Sequence, residues 1–229
     1  MLDAGCGAGH VTALAAELVG DSGFVLGIDR DEAQVAGARA RWSELPNVSF
    51  HVAELADPPP GPFDAVVGRL VLMYQRDMAA CLATLARSIQ PGGTVAFLET
   101  SLARDATPPG WPDPGPLAAR ISELIQLAFR STGTLVLAGL RLPSAMRAAG
   151  LPPQLPYESG SILYEGREAA VMQAAIFRSM LPALDTVGAD LSGIDLESLE
   201  DDLAAEQTVP RMVAVGPLIG VCGRKPVAP

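Results

Sequence analysis

Three glycines alternate across Gly5-Cys6-Gly7-Ala8-Gly9, and an acid, Asp3, stands two residues ahead of the first. Glycines so placed let a backbone turn through φ > 0 and bring its amides against a bound group with no Cβ in the way. A loop of this kind closes a strand and opens a helix, with its bare amides facing a ligand. A dinucleotide fingerprint would require G-x-G-x-x-G, with an acid about 20 positions further on. The spacing here is G-x-G-x-G with an acid before it.

Other reactive side chains are sparse. The three cysteines, Cys6, Cys81 and Cys222, have no C-x-x-C spacing, and with two histidines they build no zinc site, so no metal is expected. They read as reduced thiols, which fits a cytoplasmic protein; Cys6 reads as a small buried residue. His10 follows the glycine loop and either faces the site or caps the helix start. His51 reads as a core or edge histidine. Tyr74, Tyr157 and Tyr164 are further candidates without positional support, so the catalytic residues stay unknown at this stage.

The elements that must hold the loop follow from hydrophobic spacing. Residues 11–19 place apolar side chains at helical intervals, with Gly20 at the C-cap position. Gly23 to Ile28 is an apolar run ending on Asp29. Residues 31–43 read as a helix with acids first and arginines last, as the macrodipole favours. Val48 to Val52 is a strand, followed by Glu54. The pattern repeats with a strand at Phe63–Val67, a helix at 77–89, a turn at Pro91-Gly92-Gly93 and a strand at Thr94–Leu98 ending on Glu99. Apolar strands alternating with amphipathic helices predict a parallel sheet covered on both faces. From residue 101 the texture changes. A proline-rich connector, ARDATPPGWPDPGP, leads to predicted helices at 117–130, 142–149, 167–186 and 195–206, a strand at 157–164 and a kinked terminal strand.

Composition excludes several functions. The 229 residues are 49% hydrophobic and carry 16 basic against 26 acidic side chains, a formal net charge of −10. Nucleic-acid affinity rests largely on cationic neutralisation of phosphates, so no nucleic-acid partner is expected, nor an anionic membrane surface. No apolar stretch approaches the roughly 20 residues of a membrane span, and no signal-peptide pattern leads the chain.

The pattern D-x-G-x-G-x-G at Asp3–Gly9 resembles the first motif of class I S-adenosylmethionine-dependent methyltransferases. Gly27-Ile28-Asp29 resembles the family's second motif, and Ala53-Glu54-Leu55 falls where the family keeps an acid near adenine. FDAVVGRLVLMY is similar to its strand-four motif, and PGGTVAFLE to its PGG turn and fifth strand. GLRLPSAMRAAGL continues the match weakly, so the resemblance covers residues 2 to 100 well. It implies an α/β, Rossmann-like, doubly wound and mostly parallel seven-stranded sheet. It also implies a single domain over 1–229, with a core at 1–100 and helical lid insertions at 101–135 and 165–208.

The cofactor so implied is S-adenosyl-L-methionine. Its site would be formed by Asp3, Ala4, Gly5, Cys6, Gly7 and Gly9, by Asp29 and Arg30, by Ala53, Glu54 and Leu55, and by Gly68, Arg69 and Leu70. Asp29 would chelate the ribose hydroxyls, since a carboxylate accepts from vicinal hydroxyls in bidentate fashion. Asp3 would hold the α-ammonium, although it could instead cap the turn after it. Asp29 has an alternative as a helix N-cap, Glu54 as a solvated loop acid, and Arg69 pairs either with the cofactor carboxylate or with a core-edge acid. Trp42 reads as helix–sheet packing, and Trp111 as a candidate for the acceptor pocket.

The implied reaction is in-line methyl transfer to a small organic acceptor. A non-methylating use of the same domain, as a cyclase-like catalyst or a partner subunit, is the alternative. The oligomeric state stays open, a homodimer included. Only Met1 and Leu2 precede Asp3, so the central strand should be a stub. Losing three or four buried apolar residues forgoes on the order of 5 kcal/mol, comparable to a domain's whole stability. The expectation is therefore weak cofactor binding or a longer natural chain.

Overall fold

The structure is a computed structural model and describes residues 1–101, 115–206 and 212–227. Seven strands form one sheet in the order β3-β2-β1-β4-β5-β7-β6 among the described residues. They are β1 (Leu2–Ala4), β2 (Val25–Asp29), β3 (Val48–Val52), β4 (Phe63–Arg69), β5 (Ile89–Thr100), β6 (Glu158–Glu165) and β7 (Met212–Arg224). β1 runs parallel to both β2 and β4, β2 to β3, and β4 to β5. The chain steps outward from β1 to β2 and β3 and then returns to place β4 on the other side. β1 is therefore the topological switch point, whose carboxyl end is where open α/β sheets bind ligands.

The helices are α1 (His10–Val19), α2 (Glu32–Arg41), α3 (Met78–Arg87), α4 (Pro116–Ser131), α5 (Ala138–Ala148), α6 (Gly166–Thr186) and α7 (Leu199–Ala205). Two compact units divide the chain. The first comprises Met1–Thr100, Ala138–Ser159 and Ile219–Pro229, and the second Ser101–Leu137 and Gly160–Leu218.

In the first unit the central strand β1 spans three residues, and Leu2 and Ala4 are wholly buried. α2 starts where Asp31 accepts from the amides of Ala33 and Gln34, so Asp31 rather than Asp29 is its N-cap. Cys6, Val35, Ala38 and Phe50 form a core with Trp42 and Val48 against it. On the open side of β3, Arg39 donates to Phe50 O from both Nε and Nη2, at 2.9 and 2.6 Å.

One prediction fails here. Pro91-Gly92-Gly93 does not end an element before a new strand; β5 runs through it. Ile89 pairs with Phe63, and the register then resumes with Thr94 opposite Ala65, so the glycines form a bulge inside the strand. Gly92 N donates to Lys225 O and Lys225 N to Gly93 O, both at 2.9 Å. This pairing keeps the bulge in extended structure. Helix α5 also begins earlier than expected, and α7 is shorter.

In the second unit α4, α6 and α7 enclose a core of Ile121, Leu124, Ala128, Phe177, Leu184, Leu199 and Leu203. Each such large side chain contributes about 1.5–3 kcal/mol on burial. The start of α4 is closed by Glu206, whose carboxylate accepts from Leu117 N at 2.7 Å and Ala118 N at 3.1 Å. That supplies acceptors for donors a helix N-terminus leaves unpaired.

Candidate cofactor site

The glycine loop leaves the carboxyl end of β1 as the spacing predicts. Gly5, Gly7 and Gly9 have φ of +76°, +49° and +81°, the left-handed region that glycine enters without penalty. The amides of Gly5 and Cys6 both donate to Ile28 O at 2.8 Å, tying the loop to the end of β2. Space matters as much as torsion at Gly5 and Gly9. A Cβ on Gly5 would lie 2.2 Å from Val71 Cγ2, and one on Gly9 2.7 Å from Trp42 Cδ1. Trp42 packs as expected and donates from Nε1 to Ala8 O at 2.9 Å.

Asp29, at the end of β2, accepts Gly7 N on Oδ2 at 2.9 Å and Asp31 N on Oδ1 at 3.0 Å. Its carbonyl takes Ala53 N at 3.0 Å, which places Ala53 beside it. Leu55 is buried, while Arg30 and Glu54 are exposed. Neither side chain makes a hydrogen bond among the described residues.

Asp3 is 1% exposed. Its Oδ2 accepts from Thr12 Oγ1 at 2.6 Å, and its Oδ1 has no partner among the described residues. Burial pushes its carboxyl up to about 6, against the pull of the Thr12 hydroxyl and the Arg69 charge, while Asp29 adds to the rise. Burial, helped by Asp3 and Asp29, pushes the Cys6 thiol up to about 12. A thiol that basic is no nucleophile near neutral pH.

After β4, Leu70 takes φ +54° and its amide donates to Leu98 O at 2.9 Å. The next three amides turn onto Glu99. Its Oε1 accepts from Val71 N and Leu72 N at 2.9 and 2.7 Å, and its Oε2 from Met73 N at 3.2 Å. Glu99 is wholly buried, and burial raises its carboxyl above the usual range despite these three bonds. Val71, held in this way, is the side chain that lies on Gly5. Gly68 is buried, and a Cβ there would meet Phe97 Cε1 at 2.5 Å and Ala4 O at 2.9 Å.

Thr12, bonded to Asp3, and Glu99, which holds the turn that sets Val71 against Gly5, are supports of the candidate site that motif spacing did not reveal. Thr12 follows Asp3 by nine residues, one turn into α1. Glu99 is an acid that follows the apolar run Val95–Leu98 in β5, and that anomaly was the available signal. His10 is exposed, lies edge-on to Trp42 at 5.6 Å between ring centroids, and approaches Arg41 Nη1 at 3.4 Å. The cap before it is Gly9, with no side-chain bond. His51 is exposed on β3. The Tyr157 hydroxyl accepts from Arg147 at 2.7 Å, and burial raises that of Tyr74. Trp111 lies outside the described residues. A cleft of about 260 Å³ beside β3, lined by Arg39, Trp42, Leu45, Val48, Phe50 and His51 among others, includes none of the predicted cofactor residues.

The family described as "Methyltransferase domain" matches residues 1–131. A probable S-adenosylmethionine-dependent methyltransferase of Mycolicibacterium smegmatis is 30% identical over 218 residues, 91% of this chain and 76% of that protein. Nocamycin O-methyltransferase of Saccharothrix syringae is 39% identical over 101 residues, 42% of this chain and 36% of that relative. The chain thus spans about a third of the length of that second protein. In fold, the [4+2]-cyclase SpnF aligns with a TM-score of 0.59 at 21% identity, over 99% of this chain and 74% of that one. The chain belongs to the methyltransferase domain family, in its class I S-adenosylmethionine-dependent branch.

Proposed function

We propose that this chain transfers a methyl group from S-adenosylmethionine to a small organic acceptor. The observation that carries this reading is the Asp3 carboxylate, buried at the switch point with Oδ1 unpartnered among the described residues. A buried acceptor left unpaired costs about 1–3 kcal/mol, and an ammonium group removes that cost. The donor set fits the cofactor. Asp29 has one backbone N–H on each oxygen; a carboxylate offers about four acceptor positions, so capacity remains for a ribose diol. Gly5, Gly7 and Gly9 leave the main chain bare for the amino-acid end. Ala53, Glu54 and Leu55 are assigned to adenine, with Arg30 beside them. Gly68, Arg69 and Leu70 are assigned to the opposite rim.

When bound, S-adenosylmethionine supplies an electrophilic methyl carbon on a sulfonium. The work of the chain is then to hold both reactants in line and to keep water away. Asp3 fixes the charge of the amino-acid end, and Asp29 fixes the sugar. The helical unit is assigned to the acceptor. The surplus of acids over bases supports a small acceptor over a nucleic acid. No described helix is long and apolar enough to cross a membrane.

Calorimetric titration with S-adenosylmethionine, followed by a screen of small acceptors for S-adenosylhomocysteine release, tests the proposal. Uptake that falls at least tenfold in Asp29→Ala, with product release for some acceptor, is expected. No heat of binding, or an Asp29→Ala variant that binds as well as the parent, overturns it. Binding without release for any acceptor favours the non-methylating use.

A further inference from the structure

Thr12 is a buried polar residue that the reading above leaves without a task. It lies in the first turn of α1, wholly buried, with its hydroxyl 2.6 Å from Asp3 Oδ2. Asp3 and Gly27 are register partners on β1 and β2, so they sit side by side on the sheet. The hydroxyl occupies the room that Gly27 leaves, since a Cβ there would lie 2.8 Å from Thr12 Oγ1. Three residues from three elements thus converge on one bond. Its effect is directional. With Oδ2 occupied, the carboxylate is locked with Oδ1 as its unpaired oxygen.

We propose that Thr12 is a positioning residue, which orients the Asp3 carboxylate and keeps it ionised so that Oδ1 receives the ammonium of S-adenosylmethionine. The inference rests on the proposed cofactor. A hydroxyl that donates to a carboxylate favours the charged form, because a protonated carboxyl has less need of the donor. The charged neighbours work in both directions. Arg69, at the end of β4, favours the ion; Asp29, at the end of β2, opposes it. The thiol of Cys6 in the loop stays neutral. Thr12 is the neutral group that tips this balance, and it does so without bringing a cation that would compete with the ligand.

The test compares the parent with Thr12→Val, which keeps the shape and removes the donor, and with Thr12→Ser, which keeps the donor and removes a methyl group. S-adenosylmethionine affinity is measured by calorimetry from pH 5.5 to 8.5, and the Asp3 carboxyl carbon is followed by NMR in the unliganded protein. A charge-assisted hydrogen bond carries about tenfold or more in equilibrium. Because the parent carboxyl is about half ionised at pH 6, Thr12→Val should bind about fivefold more weakly there, and its affinity should recover toward the parent value at pH 8.5. The Asp3 titration should move up by about one pH unit, because a unit corresponds to that tenfold. Thr12→Ser should follow the parent in both measurements.

A Thr12→Val profile that superimposes on the parent's overturns the inference. So does an equal loss at every pH that Thr12→Ser shares, because that is the mark of packing alone. A parent chain that takes up no S-adenosylmethionine at any pH overturns the cofactor assignment, and this inference with it. The unliganded titration still reports whether Thr12 governs the carboxylate.

Discussion

Replacing Asp3 with asparagine should make the protein more stable and a worse binder. The folded-state carboxyl titrates at about 6, against 3.8 when free of the fold. Because the folded value is the higher, the fold favours the protonated form. Stability is greatest below the unfolded value, declines as pH rises from about 4 to about 6, and stays at its lower level above. The gap of about two units corresponds to about 3 kcal/mol at pH 7.5, of which about 1 is already lost at pH 4.5. Asparagine is neutral throughout and close in shape, and its carbonyl can keep the Thr12 bond. Urea unfolding of both proteins at the two pH values isolates this contribution, since every other group cancels in the difference. Asp3→Asn should gain about 3 kcal/mol at pH 7.5, or about 6–12 °C in Tm for a chain of this size, and about 1 kcal/mol at pH 4.5. Its affinity for S-adenosylmethionine should fall at least tenfold, as befits a site that holds an uncompensated charge for its ligand. A stability difference that does not change with pH refutes the reasoning.

Two further substitutions probe the frame around that charge. Gly5→Ala forces a side chain into the left-handed region and onto Val71 Cγ2, at a cost of about 2–4 kcal/mol. Gly7→Ala, with positive φ but nothing within 4 Å among the described residues, should cost about 1–2 kcal/mol; equal losses in urea unfolding count against the role of Val71. Glu99→Ala strands the amides of Val71, Leu72 and Met73 and should cost at least about 3 kcal/mol. Glu99→Gln, which retains a carbonyl acceptor, should lose less, and a Glu99→Ala loss below about 1 kcal/mol by the same assay contradicts the clamp.

Much of this site was legible in the chain. Asp3, the three glycines and Asp29 are neighbours in motif space, and the structure brings them to one strand end. Their pattern is local, because the loop and the two strand termini each occupy a few consecutive residues. Thr12 and Glu99 were not legible in the same way. Each acts on a partner 9 or about 27 residues away, and the register of a sheet decides that partner. The proline and glycines at 91–93 misled for a related reason. They punctuate most sequences, yet here Lys225, more than a hundred residues on, supplies the pairing that carries β5 through them. Hydrophobic periodicity located most of the helices, and their ends shifted where a cap such as Asp31 or Glu206 set them.

The guanidinium of Arg39 lies along the outermost strand and takes up the carbonyl of Phe50 with two of its nitrogens. A sheet rim with free acceptors invites another strand to extend it, and proteins blunt such rims with cationic side chains. Lengthening the sheet from this side would first require stripping that arginine away. Growth by edge-to-edge stacking is thereby disfavoured at this rim of the sheet.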